Sequence, residues 1–149
     1  MLVGAGTAAA EGYRPVLPDS AVGVLRGELG LAPVLPVVIV SRRASLRPGD
    51  QLVTDAVVPT VLVTCAAADP ARRRAVAAAG VDVLVCGDDD VDLPTALDAL
   101  ADELALSIAP LLVGGGPDLL PAALPAPVRA RLLQVLEEDG VLFTRYSLR

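Results

Sequence analysis

One stretch, Pro59 to Asp90, limits what this chain can fold into. It begins with the apolar, β-branched run Thr60-Val61-Leu62-Val63-Thr64. Small residues turn the chain, and Asp69-Pro70 then opens a helix. The aspartate caps free N–H groups, and proline at the first helical position loses only a donor that had no partner. Pro70 to Ala79 sets Arg72, Arg73 and Arg74 among alanines, all good helix formers. Gly80 ends the helix, because glycine accepts the backbone conformation a helix end often needs. Val81-Asp82-Val83-Leu84-Val85 reads as a second strand, and Gly87 to Asp90 as a polar exit. Both strand runs are nearly all apolar, as a parallel sheet with helices on both faces requires. This βαβ unit predicts an α/β fold and leaves the chemistry open, since many activities share that architecture.

A chain of 149 residues can bury the core of one domain, and residues 1–149 are expected to form one. Hydrophobic residues make up 54% and aromatics only 2%, so Ala, Val and Leu must build that core. The net charge of −6 argues against nucleic acid, whose phosphates need a basic surface. No apolar run is long enough to span a membrane. No basic segment precedes an apolar one at the start, so no secretory signal is expected and the predicted location is cytoplasmic. Cys65 and Cys86 each follow an apolar strand run and read as buried, reduced thiols. The chain has no histidine, which excludes Ser-His and Cys-His catalysis, and no metal site is expected.

Several smaller features carry candidate chemistry. Leu2-Val3 reads as the end of a strand, followed by Gly4-Ala5-Gly6-Thr7. Gly4 and Gly6 would let the backbone turn tightly and approach a ligand, and the helix-forming Ala8-Ala9-Ala10-Glu11 follows. The same letters also fit a plain turn, since the third glycine and distal acid of the dinucleotide fingerprint are missing. Ser20 to Gly30 reads as loop with a short helix. Val37 to Val40 is a buried strand ending at Ser41-Arg42-Arg43. A hydroxyl and two guanidinium groups at the carboxyl end of a parallel strand suit a phosphate, and they suit a solvated loop as well. Val91 to Leu104 has the leucine spacing of an amphipathic helix, with its acids on a solvated face. Leu104 to Val113 reads as a core strand broken by Gly114-Gly115-Gly116-Pro117, either a turn or a phosphate loop. Pro121, Pro125 and Pro127 argue against a regular helix from Leu119 to Val128. Arg131 to Glu138 is a strand or a turn of helix. Glu138-Asp139-Gly140 is a tight turn, and Val141 to Tyr146 is a closing strand antiparallel to its partner.

Taken in order, these segments resemble the pyrimidine-reductase family of riboflavin biosynthesis, also found as the C-terminal half of the bacterial bifunctional deaminase/reductase. The resemblance rests on Leu2 to Thr7 with Glu11-Gly12-Tyr13, Val38 to Arg42, Val61 to Thr64 with Ala67 to Pro70, Cys86 to Asp89, Leu106 to Gly115, and Val135 to Tyr146. It implies a dihydrofolate-reductase-like fold: a mostly parallel sheet with helices on both faces and an antiparallel C-terminal strand. It also implies an NADPH-dependent oxidoreductase that reduces a ribosylaminopyrimidine intermediate, a small-molecule substrate, and a homodimer. Gly4, Gly6 and Thr7 would then meet the cofactor. Glu11 stands where the family usually has a cofactor-contacting aspartate. Ser41 matches a further NADPH contact, and Arg42 would assist a phosphate. Hydride transfer belongs to the cofactor, so the absence of histidine is no objection. No catalytic residue is assigned.

The chain departs from the family in two places. The family has an earlier strand with a Ser-Leu-Asp-Gly-like segment, and here Leu2-Val3 reads as a strand whose beginning is absent. The family also has a strand ending in Glu-Gly-Gly-Pro and a helix before its Ile-Ala-Pro strand. Here Asp102-Glu103-Leu104 runs straight into Ala105 to Pro110, as though that strand and helix were deleted. Gly115-Gly116-Pro117-Asp118 repeats the letters after a different strand, and no role passes to it. The alternative expectation is therefore a shortened, catalytically inactive member acting as a structural or dimerisation module. A third is a fragment whose open edge of Val and Leu invites aggregation.

Overall fold

The computed structural model describes residues 1–100, 103–111 and 127–148. Its contacts divide the chain into two units, Met1–Leu93 and Pro94–Arg149. In the first unit β1 (Leu2–Gly4) leads into α1 (Ala5–Ala10), and α2 (Ala21–Glu28) follows. Next come β2 (Val38–Val40), α3 (Gln51–Thr54), β3 (Val61–Thr64), α4 (Pro70–Ala78) and β4 (Asp82–Val85). The four strands are parallel and lie side by side in chain order, β1-β2-β3-β4. Register pairs Val3 with Ile39, Ile39 with Leu62, and Leu62 with Val83, so these four share one face. Ala8 of α1, Leu52 of α3 and Val76 of α4 join the same buried cluster. Val38 and Val63 point the other way on their strands and are also buried, so both faces of the central strands are withdrawn from solvent.

Local chemistry explains the connections. The Asp69 carboxylate accepts from the N–H of Ala71 at 2.8 Å, and Pro70 follows it, which fixes the start of α4. Ser20 caps α2 the same way, accepting from Gly23 N at 3.1 Å. Thr60 is buried at the start of β3, and its hydroxyl donates to the carbonyl of Leu52, so α3 is fastened to the sheet.

The second unit holds α5 (Leu93–Leu100), β5 (Glu103–Ile108), β6 (Arg131–Glu138) and β7 (Val141–Ser147). Its three strands are antiparallel in the order β5-β7-β6. Asp139 and Gly140 join β6 to β7 with φ of 52° and 79°, the left-handed pair that a two-residue hairpin needs. Leu104, Leu106, Ile108, Leu142, Tyr146, Leu132 and Val135 fall on one face of this sheet by register. On the opposite face Arg145 Nε lies 3.6 Å from Glu103 Oε2, with both side chains about half exposed.

The fold class expected from the sequence is found as a parallel four-stranded sheet with helices, and the expected antiparallel C-terminal strand, β7, lies in a three-stranded sheet of its own with β5 and β6. Boundaries shift in two places. The helix read as Val91 to Leu104 stops at Leu100, because Glu103 and Leu104 pair with Ser147 and Tyr146. The following strand ends at Ile108, before Pro110. Arg131 to Glu138, left open between strand and helix, is a strand, with a register shift between Leu132 and Gln134. The Gly114–Pro117 run and most of the proline-rich Leu119–Val128 stretch lie outside the described residues. No helix among the described residues is long and apolar enough to cross a membrane.

Candidate cofactor site at the strand exits

All four parallel strands of the first unit present their carboxyl ends on the same side, where ligands of α/β sheets bind. Register places Gly4 opposite Val40, so the exits of β1 and β2 lie together. This brings Gly4 beside Ser41 and Arg42, which the sequence separates by almost the whole β1–β2 connection.

Gly4 caps α1 with φ −68° and ψ 142°, an ordinary extended conformation. Gly6 lies inside α1, so the expected tight glycine turn is instead a direct strand-to-helix junction. Alanine-rich helix propensity carries α1 back to Ala5. Gly4 still matters by what it lacks: a Cβ there would sit 3.9 Å from the Thr7 hydroxyl oxygen. Thr7 therefore faces back over Gly4. Glu11 follows one helical turn later, its N–H donating to the Thr7 carbonyl at 2.9 Å. Spacings of three and four residues put Gly4, Thr7 and Glu11 along one side of the segment, and all three are exposed.

Ser41 behaves differently. It is buried, and its N–H donates to Val63 O at 2.9 Å. Its Oγ accepts from Ser45 N at 3.0 Å and shares a hydrogen bond with Ser45 Oγ at 2.8 Å. The hydroxyl thus closes the loop from 41 to 45, with Ala44 held at φ 48° and fully buried. Arg42 is exposed at the rim. Its carbonyl accepts from Thr64 Oγ1 and from Cys65 Sγ, each at 3.5 Å.

Thr64 and Cys65, to which the sequence assigns no site role, also stand at these exits. Cys65 was expected as an inert buried thiol. It is buried and free, and it also donates toward Asp89 O at 3.5 Å, so it stands between the exits of β2 and β4. The signal available in the sequence was position alone: a Thr-Cys pair at the end of a parallel strand, where donors on the last turnings meet neighbouring carbonyls. Cys86 is also buried and reduced. Burial pushes its thiol pKa above the ordinary value, and the Asp92 carboxylate adds to the shift. The shift of Cys86 is opposite to the one that makes a thiol a nucleophile.

The residues present fit a dinucleotide in part. Gly4 gives open backbone, Thr7 a hydroxyl, Glu11 a carboxylate that suits sugar hydroxyls, and Arg42 a guanidinium with no ion pair among the described residues. Ser41 fits through the loop it holds, since its hydroxyl is already engaged by Ser45.

Known proteins share the fold. A pyrimidine reductase-like protein from Corynebacterium diphtheriae has the same fold with a TM-score of 0.60 at 20% identity. The match covers 98% of this chain and 74% of that one. RibD from Acinetobacter baumannii matches with a TM-score of 0.54 at 19% identity, over 98% of this chain and 45% of its own. No curated protein matches the chain. The family model described as the RibD C-terminal domain matches residues 1–134, and the chain belongs to that family.

Proposed function

We propose that this chain is an NADPH-dependent reductase of a ribosylaminopyrimidine in riboflavin biosynthesis, with residues 1–149 acting as one reductase-like domain. The family membership supports the reaction class. The observation that supports a site here is the register of Gly4 with Val40, which sets the exits of β1 and β2 side by side, one leading into Thr7 and Glu11 and the other into Ser41 and Arg42.

NADPH, when bound, supplies the hydride for the ribose-derived carbon of the substrate. The chain's own residues orient the partners. The open backbone at Gly4 lets a flat ring approach, because no Cβ stands in the way. Thr7 donates or accepts a hydrogen bond over that surface. Glu11 accepts from hydroxyl groups one turn further along. Ser41, by closing its loop through Ser45, fixes the backbone on which Arg42 is carried, and Arg42 meets a phosphate through its fork of donors.

A titration of the purified chain followed by NADPH fluorescence tests this reading. Saturable binding, weakened by Thr7→Ala, is the expected result. A folded chain that binds nothing at millimolar NADPH would overturn it.

A second reading has its own observation. Ile108, Leu132, Val135 and Leu142 share one face of the antiparallel sheet and are each between 38% and 51% exposed. Apolar surface of that kind favours a homodimer, and a shortened member could serve as a dimerisation module. Light scattering decides it: a stable monomer at micromolar concentration removes this reading.

A further inference from the structure

The loop after β2 holds a hydroxyl whose hydrogen has one place to go. Ser41 Oγ accepts from Ser45 N at 3.0 Å and lies 2.8 Å from Ser45 Oγ. Ser41 is only 7% exposed, and its hydroxyl meets no other acceptor among the described residues. A buried donor is costly to leave unmade, so Ser41 donates to Ser45 Oγ. Ser45 is exposed. Its oxygen accepts inward, and its own hydrogen is left to donate outward.

That donor does not stand alone. Ala44 N donates to Ser41 O at 3.1 Å, closing a turn with Arg42 and Arg43 at its two central positions. Both arginines are exposed and make no ion pair among the described residues. Asp50, the nearest acid along the chain, is engaged elsewhere, its Oδ2 accepting from Arg47 N at 2.8 Å. The turn is also fixed in shape. Ala44 is fully buried at φ 48°, a conformation that alanine keeps only where its surroundings impose it. Between residues 42 and 45 the loop thus offers two guanidinium groups and one hydroxyl donor, at the carboxyl end of a parallel strand. Such a set suits a group with several terminal oxygens and a double negative charge.

We infer that Ser45 and Arg43, with Arg42, bind a phosphate monoester, and that this contact separates NADPH from NADH. NADPH carries a monoester phosphate on its adenosine ribose, which NADH lacks. The inference rests on the cofactor reading above. It moves the hydroxyl contact from Ser41, whose hydrogen is used inside the loop, to Ser45.

Fluorescence titrations of the full chain with NADPH and with NADH test it, beside amide NMR with adenosine 2′-phosphate and with adenosine. Ser45→Ala keeps the N–H that bonds Ser41 and removes the outward hydroxyl. It should weaken NADPH binding about tenfold and leave NADH unchanged, with the circular dichroism intact. Arg43→Ala should show the same split, and Ser45→Thr, which keeps the hydroxyl, should restore NADPH binding. Adenosine 2′-phosphate should give saturable shifts at residues 42–46, and adenosine should not. A chain that binds adenosine 2′-phosphate through Ser45 but not NADPH would keep the phosphate site and remove the cofactor reading. Equal losses for both cofactors in Ser45→Ala would reduce that residue to a structural part of the loop and overturn the inference. So would NADPH binding that neither alanine variant alters, or a chain that binds neither NADPH nor adenosine 2′-phosphate at millimolar concentration.

Discussion

Cys65 donates its thiol to the carbonyl oxygen of Arg42 across 3.5 Å, tying the exit of β3 to the exit of β2. Thr64 makes the same connection from the residue before. Arg42 is thus held by its backbone, while its side chain makes no ion pair among the described residues. Replacing both donors in a Thr64→Val, Cys65→Ala double variant keeps most of the buried volume. It should cost about 1–2 kcal/mol of stability. NADPH affinity should fall several-fold, because the loop is no longer pre-set. Paired urea melts and NADPH titrations check this. An unchanged affinity in the destabilised variant would remove Arg42 from the cofactor site.

Asp69 is the anchor of α4. Asp69→Ala should lower stability by about 1 kcal/mol, and Asp69→Ser should recover most of it, since serine caps equally well. Arg72→Ala should change stability by no more than about half a kcal/mol, because both partners of that ion pair are more than half exposed. Urea unfolding midpoints separate the two effects. Equal losses for Asp69→Ala and Arg72→Ala would mean that the charge pair, not the cap, holds the helix.

Gly87 follows β4 with φ 86°, and a Cβ there would lie 2.3 Å from the Asp90 carbonyl oxygen. Alanine at this position suffers strain from the backbone and a collision as well. Gly87→Ala should cost about 2–3 kcal/mol. A thermal melt within a degree of the parent would show that the 87–90 loop can move aside.

The Cys86 thiol has its pKa raised by burial and then by Asp92. The folded state therefore favours the neutral thiol. Its contribution is complete below the unfolded-state pKa and is lost as pH rises through the folded one. In the mildly alkaline range Cys86 should react with iodoacetamide more slowly in the native chain than in the denatured one. Asp92→Asn should speed the native reaction. Mass spectrometry of time points reads both, and equal native and denatured rates would contradict the burial effect.

Some of this was legible in the residues. The Asp69-Pro70 opening and the apolar runs around it located β3, α4 and β4 to within about a residue, because capping and continuous burial are local signals. The Asp139-Gly140 turn was equally local. Other features were not local. The hydroxyl of Ser41 was expected to be available, and only the fold of the 41–45 loop reveals that Ser45 engages it. The link from Cys65 to Arg42 spans 23 residues and has no signature at either end. Glu103 and Leu104 carried the spacing of a helix and became strand, since pairing with β7 outweighs a short helical tail.

The unbroken chain order of the parallel sheet has a consequence for anything that binds at its exits. A sheet whose strand order reverses opens a crevice where successive loops diverge, and a ligand sinks into it. The described strands of the first unit run β1-β2-β3-β4 without a reversal, so their order by itself opens no crevice. On the proposed reading, a long ligand would lie along the exits and meet each loop at the height that its backbone reaches. Recognition then depends on loop length before side-chain identity. Lengthening the 41–45 loop by one residue should disturb binding more than exchanging any single side chain within it.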